Sequence, residues 1–180
     1  IVFKDFIEKL EELNYHVHYQ VVDASDYGVA QRRKRLLLLA SKLGEIKLIE
    51  PTHLNNKVTV KDIIGSLPVI KNGETYKKDP LHRAASLSKL NIKRIKSSKP
   101  GGTWRDWDRE LLPQCYLKDS GKTFGSVYGR MSYDDVSPTL TTQFNRYGTG
   151  RYGHPEQDRA ISLREGALLQ SFPENYQFVE

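Results

Sequence analysis

Four consecutive cations, Arg32-Arg33-Lys34-Arg35, run without a break into Leu36-Leu37-Leu38-Leu39-Ala40. The charges need water and the apolar run is driven out of it, so the chain must pass from surface to interior within a residue or two. A short apolar run that follows turn residues reads as a strand, predicted over 35–41 and expected to be buried. The cations are then held at the strand mouth, where a rigid element aims a few polar groups at a ligand. Alternation sorts them: Gln31, Arg33 and Arg35 share one face of an extended chain, and Arg32 and Lys34 take the other. The competing reading is a solvated basic loop edge. Gly28-Val29-Ala30 before the cluster and the apolar strand after it argue against that.

The flanking sequence is regular at both ends. Phe3, Phe6, Ile7, Leu10 and Leu13 recur at helical spacing and predict a helix ending near Asn14. Val17-His18-Tyr19-Gln20-Val21-Val22 alternates like a strand, and the connection to 35–41 permits antiparallel pairing. From residue 44 to about 128 periodicity weakens. Candidate strands over 45–49 and 58–62 sit among turn signals, and 88–96 predicts a short basic helix with Ser88 as N-cap and Leu90 and Ile95 inward. Residues 158–170 return to a helical pattern, opened by a Ser162/Glu165 capping box and stopped by Pro173.

Composition narrows the class. A chain of 180 residues fits one domain, or a domain with a smaller lobe. The single cysteine, Cys115, precludes an intrachain disulfide and a Cys-rich zinc site and is read as a small, partly buried residue. His154-Pro155 lacks the companions a metal would need, so no metal is expected. No apolar run approaches the roughly 20 residues of a membrane span, and a cytoplasmic location is expected. The chain opens on Ile1 and its one methionine is Met131, which suggests a piece of a longer protein. Residues 71–109 hold 11 Lys or Arg against 4 Asp or Glu, a balance of +7 in a chain of net charge +6. The excess is therefore concentrated in the middle, which favours a polyanion partner.

Three blocks then fall in a specific order. Tyr27-Gly28-Val29-Ala30-Gln31-Arg32-Arg33-Lys34-Arg35 resembles the Gln-x-Arg-x-Arg block of DNA (cytosine-5) methyltransferases. Arg130 with Ser137-Pro138-Thr139-Leu140-Thr141-Thr142 resembles the block after their target-recognition region. Arg159-Ala160-Ile161-Ser162-Leu163-Arg164-Glu165-Gly166-Ala167-Leu168-Leu169-Gln170-Ser171-Phe172-Pro173 resembles the start of their final block. The resemblance spans residues 15–180. It implies an α/β (α+β) fragment: the tail of a Rossmann-like, S-adenosylmethionine-dependent catalytic domain at 1–43 and 158–180, and an irregular, mainly β target-recognition lobe at 44–157.

The same resemblance implies roles. Such enzymes swing a cytosine out of duplex DNA, attack it with a cysteine thiolate and methylate C5. Arg35 would donate to the cytosine O2 as negative charge builds, and Arg33 and Gln31 would hold the flipped nucleotide. Arg32 and Lys34, on the opposite face, would contact the DNA backbone or stand as solvated charges. Within the lobe, Gly101, Gly102, Thr103 and Arg105 form one candidate DNA-reading run, and Thr141, Thr142, Gln143, Arg146 and Arg151 a second. At least one of Trp104 and Trp107 is read as core. No Pro-Cys-Gln, Glu-Asn-Val or Phe-x-Gly-x-Gly occurs, and Pro113-Gln114-Cys115 has the wrong order and place. The nucleophile and most of the cofactor site would therefore lie in an N-terminal catalytic region outside this chain, leaving it inactive alone, and a restriction-modification setting is expected. Ala30 stands where the family usually has proline and Gly166 where it has alanine, the latter at roughly 1 kcal/mol of helix stability. The alternatives are a non-catalytic DNA-binding specificity subunit and an RNA cytosine-5 methyltransferase relative.

Overall fold

A helix laid against a two-stranded ribbon opens the chain, and a loop-rich body wrapped on one buried helix closes it. The computed structural model describes residues 2–121 and 123–178. Ile1 and Glu180, the outer limits of the predicted segments, lie outside them.

Helix α1 (Val2–Glu12) ends where Asn14 enters the left-handed region at φ 63°, as its helical stripe predicts. Of its apolar stripe only Ile7 is buried, and Phe3 meets Tyr19 edge-on with ring centroids 5.0 Å apart. Strands β1 (His16–Asp23) and β2 (Lys34–Ser41) pair antiparallel, from His16 opposite Ser41 to Asp23 opposite Lys34. The strand after the cations is therefore real, but it is not buried: Leu36 is 47% and Leu37 41% exposed. A ribbon of two strands has two faces, and α1 covers only part of one, so the leucines keep solvent contact.

The middle of the chain departs further from expectation. Residues 45–49 form no strand, and 58–62 give way to helix α2 (Val60–Ile64). Thr59 caps this helix, accepting from the Asp62 N–H while the Asp62 carboxylate accepts from the Thr59 N–H. Val60 and Ile64, four residues apart, then share one buried face. The lobe is irregular but not mainly β: among described residues 44–157 hold only isolated bridges, two helices and tight 3-10 turns. Proline and glycine recur too often there for a ladder to propagate. Helix α3 (Lys89–Ser97) forms with Ser88 as cap, and Ile95 is buried as expected, whereas Leu90 faces solvent. Cys115 is exposed, not partly buried, because it lies on a single surface turn, Gln114–Leu117.

Two apolar clusters hold the body together. One joins Ala30, Val60, Ile64, Met131, Leu140, Tyr152, Ile161 and Leu169. The other gathers Ile95, Trp104, Trp107, Tyr147 and Ala160, so both tryptophans are core. Each aliphatic side chain buried this fully contributes about 1.5–3 kcal/mol. Helix α4 (Leu163–Leu169) carries the predicted capping box, Ser162 accepting from the Glu165 N–H. The helix ends before Pro173: Ser171 turns left-handed at φ 66°, and the N–H groups of Ser171 and Phe172 close back on Leu168 and Ala167.

Beneath α4 lies a buried polar knot. Arg159 and Glu165 pair through two contacts of 2.7 Å, both side chains sealed from solvent. The remaining Arg159 donors reach the Ile70 and Ala160 carbonyls and Gln157, and Glu165 also accepts from the Ser162 N–H at 2.6 Å. Burial alone would raise the Glu165 pKa, but the Arg159 hydrogen bonds and charge outweigh it and hold the carboxyl below its usual value. His154, also sealed, accepts on Nδ1 from the Glu156 and Gln157 N–H groups, and burial lowers its pKa to about 4. Every charged member is thus partnered, the condition for tolerating charge in an interior.

Candidate nucleic-acid interface

A backbone junction joins two blocks that are about a hundred residues apart in sequence. Gln31 bridges Ser137 in parallel: the Arg32 N–H donates to the Ser137 carbonyl at 2.9 Å and the Ser137 N–H to the Ala30 carbonyl at 3.0 Å. The Thr139 hydroxyl adds a 2.6 Å bond to the Arg32 carbonyl. The Gln-Arg block and the Ser-Pro-Thr block therefore meet, with Gln31 and Ser137 buried where they join.

Local chemistry sets the entrance. Asp23 ends β1, and its carboxylate accepts from the Ser25 N–H, the Ser25 hydroxyl and the Arg33 N–H. Partial burial would raise its pKa, but these donors and the Lys34 charge lower it, keeping an anion under the basic run. Gly28 closes the following turn at φ 89°, a conformation that penalises a side chain, and its open face meets the His53 ring.

The candidate residues have distinct fates. Gln31 is buried and its Oε1 lacks a hydrogen-bond partner. Arg33 is half-buried; Arg35 is exposed and folds its guanidinium onto the Lys34 carbonyl at 2.7 Å; Lys34 is exposed. Arg32 leaves the strand line and pairs with Asp135 at 3.1 Å, both more than half exposed. Thr103 is occupied as a cap, accepting from the Arg105 N–H while the Asp106 carboxylate accepts from its own N–H. Arg105 stacks over Trp104 at 5.0 Å. Gly102 presents its carbonyl to the Arg130 N–H.

In the second run, Thr141 bonds the Tyr152 hydroxyl at 2.9 Å, and Gln143 turns left-handed at φ 63° with its carbonyl accepting from Arg146 and Thr149. Thr142, Gln143, Arg146 and Arg151 are exposed. Thr141 and Arg151 line one shallow groove with Thr139, while Arg32, Gly101 and Arg151 line another with Arg130 and Asp135. Sequence reasoning missed Asp23 and Asp135. The Asp23-x-Ser25 spacing of an Asx turn was the available signal for the first; none marked the second, whose ion-pair partner Arg32 lies 103 residues away in sequence.

A cleft of about 280 Å³ between α4 and residues 172–178 is lined by Leu81, Phe144, Leu163, Ala167, Phe172 and Phe178, with Gln170 alone offering polar groups. S-adenosylmethionine needs partners for its ammonium, carboxylate and ribose, so these residues do not fit the whole cofactor. Among the described residues no group of three His, Cys, Asp or Glu side chains is placed to hold a metal, and no helix is long and apolar enough to cross a membrane.

Fold and junction together define a mixed α/β chain in which a polar, arginine-bearing segment meets a distant Ser-Pro-Thr segment. The family model described as C-5 cytosine-specific DNA methylase matches residues 1–180, and the chain belongs to that family. The type II methylase M.HgiDII of Herpetosiphon aurantiacus is 56% identical over 178 residues, covering 98% of this chain and 50% of that protein. The type II methyltransferase M1.HphI of Haemophilus parahaemolyticus is 33% identical, covering 97% and 44%. DNA (cytosine-5)-methyltransferase 3 of Arabidopsis thaliana is 28% identical, covering 96% and 16%. The chain thus spans about half, or less, of the length of these curated relatives. A crystal structure described as a prophage-encoded DNA modification methyltransferase (E. coli) shares the fold, with a TM-score of 0.66 at 23% identity over 97% of this chain and 55% of that one.

Proposed function

We propose that this chain is the C-terminal, DNA-recognising part of a DNA cytosine-5 methyltransferase, acting with a catalytic region that lies outside it. The observation that carries this reading is the junction of Gln31 and Arg32 with Ser137 and Thr139. It brings the buried Gln31 amide and the start of the basic run against the Ser-Pro-Thr segment.

On this reading S-adenosylmethionine supplies the methyl group and is held mainly by the other region. Arg35 donates to the O2 of an extruded cytosine as negative charge develops, its present bond to the Lys34 carbonyl being a resting one. Arg33 and Gln31 hold the flipped nucleotide, and Gln31 brings an acceptor with no other partner. The exposed groups at Thr142, Gln143, Arg146 and Arg151 belong to the recognition lobe, and the +7 middle segment supplies attraction to the duplex. The type II names of two relatives favour a restriction-modification setting.

The test is Arg35→Ala in the whole enzyme. Single-turnover methyl transfer is expected to fall about 10²–10³-fold while duplex affinity changes far less. Equal losses in both would reduce Arg35 to a phosphate contact. Preference for transfer RNA over duplex DNA would overturn the DNA reading altogether.

A further inference from the structure

The open cavity beside the junction adds Arg130 and Asp135 to two arginines already named, Arg32 and Arg151. It measures about 60 Å³ and its charged lining is Arg32, Arg130, Arg151 and Asp135. Three cations and one carboxylate thus line it, with a second carboxylate, Asp158, paired to Arg130 from outside the lining. Arg130 is nearly buried; one terminal nitrogen holds Asp158 at 2.7 Å, and its Nε–H has no acceptor at all. A buried donor without an acceptor is costly, and an arginine is the side chain best matched to a tetrahedral oxyanion. Arg151 is drawn close because its stem occupies the space that a side chain on Gly129 would need. Gly101 brings backbone to the opposite wall at φ 74°.

We infer that this cavity seats one phosphodiester of the DNA backbone, with Asp135 as the stand-in anion for Arg32 in the free protein. This rests on the duplex-binding reading above and deepens it. The cavity is open to solvent and its charged lining suits an anion such as a phosphate group. The exposed Arg32–Asp135 pair is weak, so an incoming phosphate displaces the carboxylate at little cost.

The experiment measures affinity of the whole enzyme for a mixed-sequence duplex across a salt series. Arg32→Ala, Arg151→Ala, their combination and Asp135→Asn are compared with the unaltered protein; Arg32 and Arg151 are exposed, so the fold tolerates their loss. Each single arginine variant is expected to bind about tenfold more weakly, with the salt slope reduced by about one. The combination should lose far less than the product of the singles, because both arginines serve one phosphate. Asp135→Asn should tighten binding. Duplex binding with additive or absent arginine effects, or weaker binding by Asp135→Asn, would overturn the shared seat alone. Failure of the unaltered enzyme to bind duplex at all would overturn the functional reading beneath it.

Discussion

The ribbon of β1 and β2 and the knot around α4 solve opposite problems. The ribbon is apolar in sequence yet open to water: Val21 is 67% exposed, and Leu36 and Leu37 are nearly half exposed. The knot is polar in sequence yet sealed, with Arg159, Glu165, Ser162 and His154 at 1% exposure or less. Burial follows from what covers a segment, not from its hydropathy. The ribbon has one short helix beside it. The knot is wrapped by residues 68–82, which reach it through the Arg164–Asp79 ion pair, the Ser162–His82 bond and the Ile70 carbonyl that accepts from Arg159, while the Pro68 carbonyl holds the far side of the His82 ring.

The largest effect separating these regions should come from Arg159→Met. It strands the Glu165 carboxylate in the interior and is expected to cost about 3–5 kcal/mol in denaturant unfolding. Adding Glu165→Gln should recover part of that loss. If Arg159→Met unfolds at the unaltered midpoint, the knot is not the stabilising centre.

Acid should distinguish the regions next. His154 titrates at about 4 when folded and near 6.5 when free, so the unfolded chain binds its proton more readily. Its contribution is complete above pH 6.5 and disappears as pH falls to about 4, a loss of about 3 kcal/mol. Glu165, depressed below its usual 4.5, contributes fully above that value and loses its contribution as pH falls from there through the lower folded one. A pH series of unfolding free energies on His154→Gln should flatten the upper window only; an unchanged profile would assign the acid response elsewhere.

The smallest effect belongs to the ribbon. Leu37→Thr should shift stability by no more than about 0.5 kcal/mol, since a half-exposed leucine has little burial to lose. A loss above 2 kcal/mol on the same denaturation curve would mean that another surface covers β2 and would erase the contrast.

Local signals carried much of the fold. The helical stripe of α1, the alternation of β1, the caps at Ser88 and Ser162 and the pairing of the two strands depend on residues close in sequence, so they were legible. Thr59 and Asp62 carried an equally local signal for α2, overlooked because the β-branched run 58–60 suggested a strand. Gly166 illustrates what was not legible. By helix propensity it is a defect, yet a side chain there would collide with the Phe144 ring, so the glycine makes room for packing from another part of the chain.

For the candidate site, sequence alone determined the residue types, their order and the family, because a run of cations ahead of an apolar strand and two later blocks are patterns in one dimension. Tertiary structure decided which members meet. It set Gln31 against Ser137, tied Arg32 to Asp135 and turned Arg130 and Arg151 toward one cavity. It also spent Thr103 on a cap and left the leucines of β2 in water. The physical reason is the same in each case: a side chain's partners are fixed by whichever distant segment fills the space beside it, and that information is held in the packing rather than in neighbouring residues.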